Sequence, residues 1–213
     1  MTVPAVPAWP DERADPRVLE TIDALFEPRR MSFEEYWAFE RESDPRHEFV
    51  DGEVYLMVGA RDVHEIIAGN LFVELRGAVD RRRFQVFGSG MRVQIKTDLV
   101  RRSYYPDVFV ADRAERDDEY FRFAPVVVGE VLSPSTRLYD KSGKFEAYKL
   151  IPALSDYVLV EQDLREITVM RRADNWAARV YGAGETLYLA GVGAEIAVDA
   201  VYADTEFGTE PQP

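Results

Sequence analysis

The chain of 213 residues contains no cysteine and only two histidines, His47 and His64. The first absence excludes disulfides, thiolate metal ligands and cysteine nucleophiles, and it fits a reducing, cytoplasmic compartment. Together the two leave too few nitrogen and sulfur ligands for a structural zinc site. No apolar run reaches the roughly 18 residues that a membrane span needs, so no membrane partner is expected. Residues 1–10 lack a basic segment followed by an apolar stretch, which argues against a secretory leader. Positive charge is also scarce. Lys and Arg number 26 against 39 Asp and Glu, a formal net charge of -13. That excludes a protein that coats nucleic acid by bulk electrostatics, but not one with a local basic groove. Arginines cluster at 81–83, 101–102 and 171–172. They are either solvated ends of elements or phosphate contacts.

The composition is that of a globular domain, 46% hydrophobic and 31% charged, with enough length for one sizeable core. Residues 1–30 are rich in Pro, Ala and charge and read as a flexible lead-in, with a short helix near 18–26. Ser32 and Glu35 form a capping-box pattern that opens a helix over 33–41. Asp51-Gly52 between two β-prone runs predicts a hairpin over 47–57. Asp62 is the expected cap of a helix on which Val63, Ile67, Leu71 and Leu75, with Ile66 beside them, make an apolar face. Strands are expected at 84–87 and 91–95. A basic loop then leads to a strand over 105–110 with Pro106 at its entrance. Residues 126–132 are almost wholly apolar and β-branched, as in a central strand covered on both faces. Residues 133–136 end that strand and can cap a helix over 138–150. Further strands are expected at 157–161, 166–172, 177–181 and 192–198, and the tail after residue 207 reads as frayed. The fold class is α/β with a mixed sheet, flanking helices and extra antiparallel strands, in one domain over 31–207.

Glu130 stands inside the most apolar strand of the chain. A lone buried carboxylate costs several kcal/mol unless it is paired or binds a metal. Two explanations remain open, a buried ion pair or a metal ligand. Asp107 repeats the pattern, following Pro106 and preceding Val108-Phe109-Val110. Two strands that each carry a carboxylate near one end can offer two oxygens to a hard cation such as Mg²⁺. In the helix after Glu130, Asp140, Lys144 and Tyr148 recur at i, i+4 and i+8 and share a face. Lys144 could approach a metal or a phosphate there, or form a plain surface pair with Asp140. Ser133 and Ser135 have no nucleophile-elbow context. Tyr104, Tyr105, Tyr139 and Tyr148 are either base-stacking platforms or packed aromatics.

Pro106-Asp107, the string Glu130-Val131-Leu132-Ser133-Pro134-Ser135-Thr136, and Asp140, Lys144 and Tyr148 resemble the Uma-two branch of the PD-(D/E)XK nuclease superfamily. His47-Glu48-Phe49-Val50-Asp51-Gly52-Glu53, His64 and Tyr157-Val158-Leu159-Val160 extend the resemblance over about residues 31–207. It implies a restriction-endonuclease-like core and phosphodiester hydrolysis in DNA. It also implies Mg²⁺, for which Mn²⁺ can substitute, held by Asp107, Glu130 and the Val131 carbonyl. The superfamily normally has a lysine two residues after the second acid, where this chain has Leu132. The resemblance assigns that lysine to the following helix, as Lys144, with Lys141 one turn earlier as the reserve. Glu48 matches a further acid of the branch, a candidate for an indirect or water-mediated metal contact. His64, at the start of its helix, is either a residue that assists catalysis or contacts DNA or a helix-terminus or packing residue.

Two functions of different class follow. One is a metal-dependent endonuclease, which the set Asp107, Glu130 and Lys144 favours. The other is a nuclease-fold binding or assembly module, which the negative charge and the displaced lysine favour. A nuclease that cuts both strands needs two sites, so a homodimer is expected. The hairpin over 47–57 and the late strands are its candidate edges.

Overall fold

The computed structural model describes residues 29–207 apart from residues 58, 116, 117 and 135. The helix expected near 18–26, the tail after 207 and Ser135 lie outside the described residues. The chain divides into two compact units, residues 1–57 and 58–213.

In the first unit, strand β1 (Arg29–Arg30) precedes helix α1 (Phe33–Glu42), then strands β2 (His47–Val50) and β3 (Glu53–Leu56). Arg29 and Arg30, placed by sequence at the end of the lead-in, pair antiparallel with Val54 and Glu53. The capping box forms as expected: Ser32 Oγ accepts the Glu35 N–H at 3.2 Å, and Glu35 Oε2 accepts the Ser32 N–H at 2.7 Å. The hairpin turns at Asp51 (φ 50°) and Gly52 (φ 102°). Two consecutive left-handed residues match the right-handed twist of the strands they join. Tyr36, Phe49 and Val54 form the buried core of this unit, lined by Met31, Phe33 and Phe39.

The second unit begins with helix α2 (Asp62–Ala78) and strands β4 (Phe84–Gly88), β5 (Arg92–Lys96), β6 (Arg101–Tyr104), β7 (Val108–Asp112), β8 (Phe121–Arg122) and β9 (Pro125–Leu132). A helical run follows: α3 (Arg137–Tyr139), a π-helical turn (Asp140–Lys144) and α4 (Phe145–Tyr148). Strands β10 (Asp156–Glu161), β11 (Glu166–Arg171), β12 (Ala178–Gly182), β13 (Thr186–Leu189) and β14 (Ala194–Ala197) lead to helix α5 (Val198–Val201). The main sheet has the order β12-β11-β10-β9-β7-β4. It is mixed, because β9 and β10 pair in parallel while β7 and β9, β10 and β11, and β4 and β7 pair antiparallel. β13 pairs with β14, and β5 pairs antiparallel with β6 and parallel with β8.

One face of the main sheet is covered by α2. Ile67, Leu71 and Leu75 bury against Val108, Val110, Val127, Val131, Val158 and Val160. A Cβ at Gly129 would meet Leu71 Cδ2 at 3.0 Å, so the glycine in the apolar strand marks the close approach of this helix. Several local expectations are corrected. The N-cap of α2 is Arg61, and Asp62 is the first helical residue, its Oδ1 accepting the Val63 N–H at 2.8 Å. Ile66 is largely exposed, because it lies about 100° around the helix from Ile67. Residues 101–102 are strand β6, not a loop. The strand expected over 105–110 starts at Val108, leaving Tyr105, Pro106 and Asp107 before it. Among the described residues, no helix is long and apolar enough to cross a membrane.

Arg172, weighed as a phosphate contact or a solvated charge, is structural. Its Nε donates to Leu154 O at 2.7 Å, and its Nη2 to Lys149 O at 3.1 Å and Ile151 O at 2.6 Å. These carbonyls follow α4, where a helix leaves its last acceptors unmatched. Arg172→Ala should therefore cost about 2 kcal/mol, or a thermal midpoint lowered by roughly 4–8 °C. A calorimetric melt checks this; a midpoint within 1 °C of wild type would mean that water serves these carbonyls equally well.

Candidate active site

β7 and β9 pair with Val108 opposite Gly129. Continuing that register by one residue sets Asp107 opposite Glu130. Opposed residues of an antiparallel pair lie about 4.5–5.5 Å apart at Cβ. Asp107 stands just before its strand, and its side chain takes over the pairing that its backbone has left. Oδ2 accepts the Val131 N–H at 2.7 Å. Oδ1 lies 3.1 Å from Nε2 of His64, on the first turn of α2. Two strands and one helix therefore fix this carboxylate. Burial alone would lower the His64 pKa. The hydrogen bond to Asp107 and the charges of Asp107, Glu65 and Asp140 outweigh it, and the pKa is raised above its ordinary value.

Glu130 is only 3% exposed. The Tyr148 hydroxyl donates to its Oε1 at 3.3 Å, and the Lys144 ammonium stands 3.5 Å from the same oxygen. The buried ion pair considered for Glu130 is therefore present. Lys144 also lies 3.4 Å from Asp140 Oδ1. That pair is not a surface pair: the two side chains are 8% and 2% exposed. Tyr157, on β10 opposite Val128, donates its hydroxyl to the Asp140 carbonyl at 2.9 Å. Burial first, and then the Glu130 charge, push the Tyr157 pKa well above its ordinary value against the pull of Lys144. It remains a hydroxyl donor. The Lys144 ammonium lies 5.5 Å from the centroid of the Tyr104 ring, and the Tyr104 hydroxyl bonds that of Tyr139 at 2.8 Å.

Lys144 reaches this position from the end of the π-helical turn. Such turns widen a helix by one residue per turn and recur at functional sites. A Cβ at Gly143 would collide with Tyr139 Cε2 at 2.4 Å, so the turn closes under that ring only with glycine there. Arg102 donates to the Gly143 carbonyl at 3.3 Å, a contact invisible while residues 101–102 read as a loop. Tyr148, i+4 from Lys144, stays on the same side. Lys141 does not. Its ammonium lies 2.9 Å from Glu161 Oε1, beside Arg137 at 2.7 Å from Oε2. The tyrosines weighed as stacking platforms divide: Tyr104, Tyr105 and Tyr148 are buried, and Tyr139 is partly exposed. Glu48 lies on β2 of the first unit, half-buried, opposite Tyr55. Tyr157 and Tyr104 border Lys144 without having been singled out for it. Their only sequence signal is an aromatic side chain in a strand.

Among the described residues, no group of three or more His, Cys, Asp or Glu is arranged to cage a metal ion. The donors present are of another kind. Asp107 and Glu130 offer hard carboxylate oxygens, the first of them held on the backbone N–H of the residue after the second. With Asp140 they make three carboxylates, faced by the Lys144 ammonium and, at Asp107, by His64. That fits a divalent cation held by one or two carboxylates while it keeps most of its waters.

Residues 33–199 match the family model Uma2, described as "Putative restriction endonuclease". The chain is 34% identical over 183 residues to the uncharacterized protein slr1290 of Synechocystis sp., covering 84% of this chain and 94% of that one. It is 32% identical over 131 residues to the uncharacterized protein sll1609 of the same organism, covering 60% and 73%. A crystal structure described as a putative nuclease belonging to DUF820 from Anabaena variabilis superposes with a TM-score of 0.68 at 15% identity, over 81% of this chain and 98% of that chain. This last likeness shows the fold, a mixed α/β nuclease fold. With residues 33–199 inside the family model and a relative one-third identical along most of both chains, this protein belongs to the Uma2 family.

Proposed function

We propose that the protein is an Mg²⁺-dependent endonuclease that hydrolyses phosphodiester bonds in DNA. The observation that carries this reading is that Asp107, whose Oδ2 accepts the Val131 N–H, is tied to the strand residue next to Glu130, which the buried Lys144 ammonium approaches within 3.5 Å. Asp107, Glu130 and the Val131 carbonyl would hold the cation. Bound there, a divalent cation polarises a phosphate oxygen and acidifies a water ligand. The remaining work falls to the chain. His64 and the Val131 N–H fix both oxygens of Asp107, so that carboxylate needs no rearrangement when substrate arrives. Lys144 offers a positive charge to the phosphorane as negative charge builds on its oxygens. Burial among Tyr104, Tyr148 and Tyr157 keeps that charge poorly screened.

The alternative is a nuclease-fold binding module, favoured by the net charge of -13 and by Leu132 in the usual lysine position. Plasmid nicking at low salt in Mg²⁺, Mn²⁺ or EDTA, beside Asp107→Ala and Glu130→Ala, separates the two. Metal-dependent nicking by wild type and none by either variant is the expected result. No nicking by a wild type that binds Mn²⁺ through Glu130 would reject DNA as substrate. Neither nicking nor binding would leave the binding module.

A further inference from the structure

The Lys144 ammonium lies near two carboxylates. It lies 3.4 Å from Asp140 Oδ1 and 3.5 Å from Glu130 Oε1. A full charge-assisted N–H···O bond is shorter, about 2.7–2.9 Å. Asp140 Oδ1 is buried and, among the described residues, has no hydrogen-bond partner. A buried acceptor with unused capacity, within reach of a flexible ammonium, is a place for that ammonium to go. The backbone around it is fixed: the Asp140 N–H donates to Thr136 O at 2.9 Å, and its carbonyl accepts the Tyr157 hydroxyl. Asp140 opens the π-helical turn and Lys144 ends it, so the lysine stem pivots beside its i-4 neighbour.

Glu130 cannot serve two cations equally. An ammonium pressed against it competes with a divalent cation for the same oxygens and repels it. We propose that Asp140 is a positioning residue that takes the Lys144 ammonium when a divalent cation occupies Glu130. Asp140 then does not ligate the cation. It frees the ligand and keeps the lysine charged and close to the phosphate position. This rests on Asp107 and Glu130 being the cation site.

The test is a cycle of Mn²⁺ titrations by calorimetry on wild type, Glu130→Ala, Asp140→Asn, Lys144→Met and the Asp140→Asn/Lys144→Met pair, each confirmed folded by a thermal melt. If Asp140 acts through Lys144, Asp140→Asn weakens Mn²⁺ binding at least fivefold more with Lys144 present than with Met there. Asp140→Glu, which keeps the charge, stays within about threefold of wild type. Equal losses in both backgrounds mean that Asp140 is only a general negative charge, and they overturn the inference while leaving the cation site intact. Wild type that binds no Mn²⁺, or Glu130→Ala that binds as wild type does, overturns the cation site and this inference together. Crystal structures of wild type with and without Mn²⁺ test the same point should a variant fail to fold. The ammonium is expected about 2.9 Å from Asp140 Oδ1 when Mn²⁺ is bound. An ammonium still shared with Glu130 in the loaded protein refutes the transfer.

Discussion

Glu130→Gln is expected to cut nicking by about a hundredfold or more while leaving the protein as stable as wild type or more so. The two effects share one cause. Glu130, Asp140 and Lys144 form a buried triad with one negative charge too many. Removing the Glu130 charge leaves Asp140 and Lys144 as a balanced pair, and the glutamine carbonyl still accepts the Tyr148 hydroxyl. Buried carboxylates kept for chemistry are a cost to folding, and their neutral replacements commonly gain about 0.5–2 kcal/mol. The midpoint should rise by roughly 2–8 °C for a domain of this size. Differential scanning calorimetry beside the nicking assay reads both quantities. A midpoint more than about 5 °C below wild type would show that Glu130 stabilises the fold, and the ion-pair account of its burial would then suffice.

Arg171→Met is expected to produce the largest loss of stability at any of the arginine clusters. Asp156 is fully buried where β10 begins, directly opposite Arg171 in the β10–β11 register. Its Oδ1 takes the Arg171 Nε–H at 3.0 Å and its Oδ2 the Gly191 N–H at 3.0 Å. Arg171 reaches on to Asp174 Oδ2 at 3.0 Å and to the Tyr188 carbonyl. Burial pulls the guanidinium pKa down, but the Asp156 bond and charge raise it above its ordinary value. Methionine would strand a carboxylate at zero exposure, at a cost of about 3–5 kcal/mol. The midpoint should fall by roughly 10 °C or more. Asp156→Asn in the Arg171→Met background should restore part of that loss, because the stranded charge is then gone. No recovery in the double variant would assign the loss to packing of the arginine stem.

What sequence alone made visible follows from which signals are local. The Ser32–Glu35 box, the Asp51-Gly52 turn and the apolar run around Glu130 each carry their cause within a few residues, and each formed as expected. Glu130 stands out locally, as a charge inside an apolar strand, whereas Asp107 and Lys144 owe their place to the combination of motifs and the family resemblance, a Pro-Asp pair and an Asp–Lys pair four apart being ordinary by themselves. The failures have the opposite character. Arg101 and Arg102 show no apolar alternation, yet they form β6 because β5 supplies the pairing. Arg171 and Arg172 look like a surface charge pair, but apart from Asp174 the partners described above, Asp156 and four carbonyls, are 15 to 23 residues away in sequence. The spacing of Asp140, Lys144 and Tyr148 suits an unbroken α-helix as well as a π-helical turn. The sequence does not separate the two, and the close approach of the Tyr139 ring to Gly143 is visible only in the structure. His64 was legible as the first turn of a helix; its contact with Asp107 spans 43 residues.

The parallel pairing of β9 with β10 bears on when the protein acquires its chemistry. Parallel neighbours need a crossover, and here the crossover is the helical run that carries Asp140 and Lys144. Asp107 and Glu130 come together with the antiparallel β7–β9 pair. Lys144 is delivered only when β10 docks on the far side of β9 and Tyr157 reaches the Asp140 carbonyl. Non-local pairings of this kind close late in folding. A chain with β7 and β9 paired but β10 undocked would hold the two acids without the lysine. Because the connection carries the lysine, rather than the strand, the proposed site is complete only with β10 docked on β9.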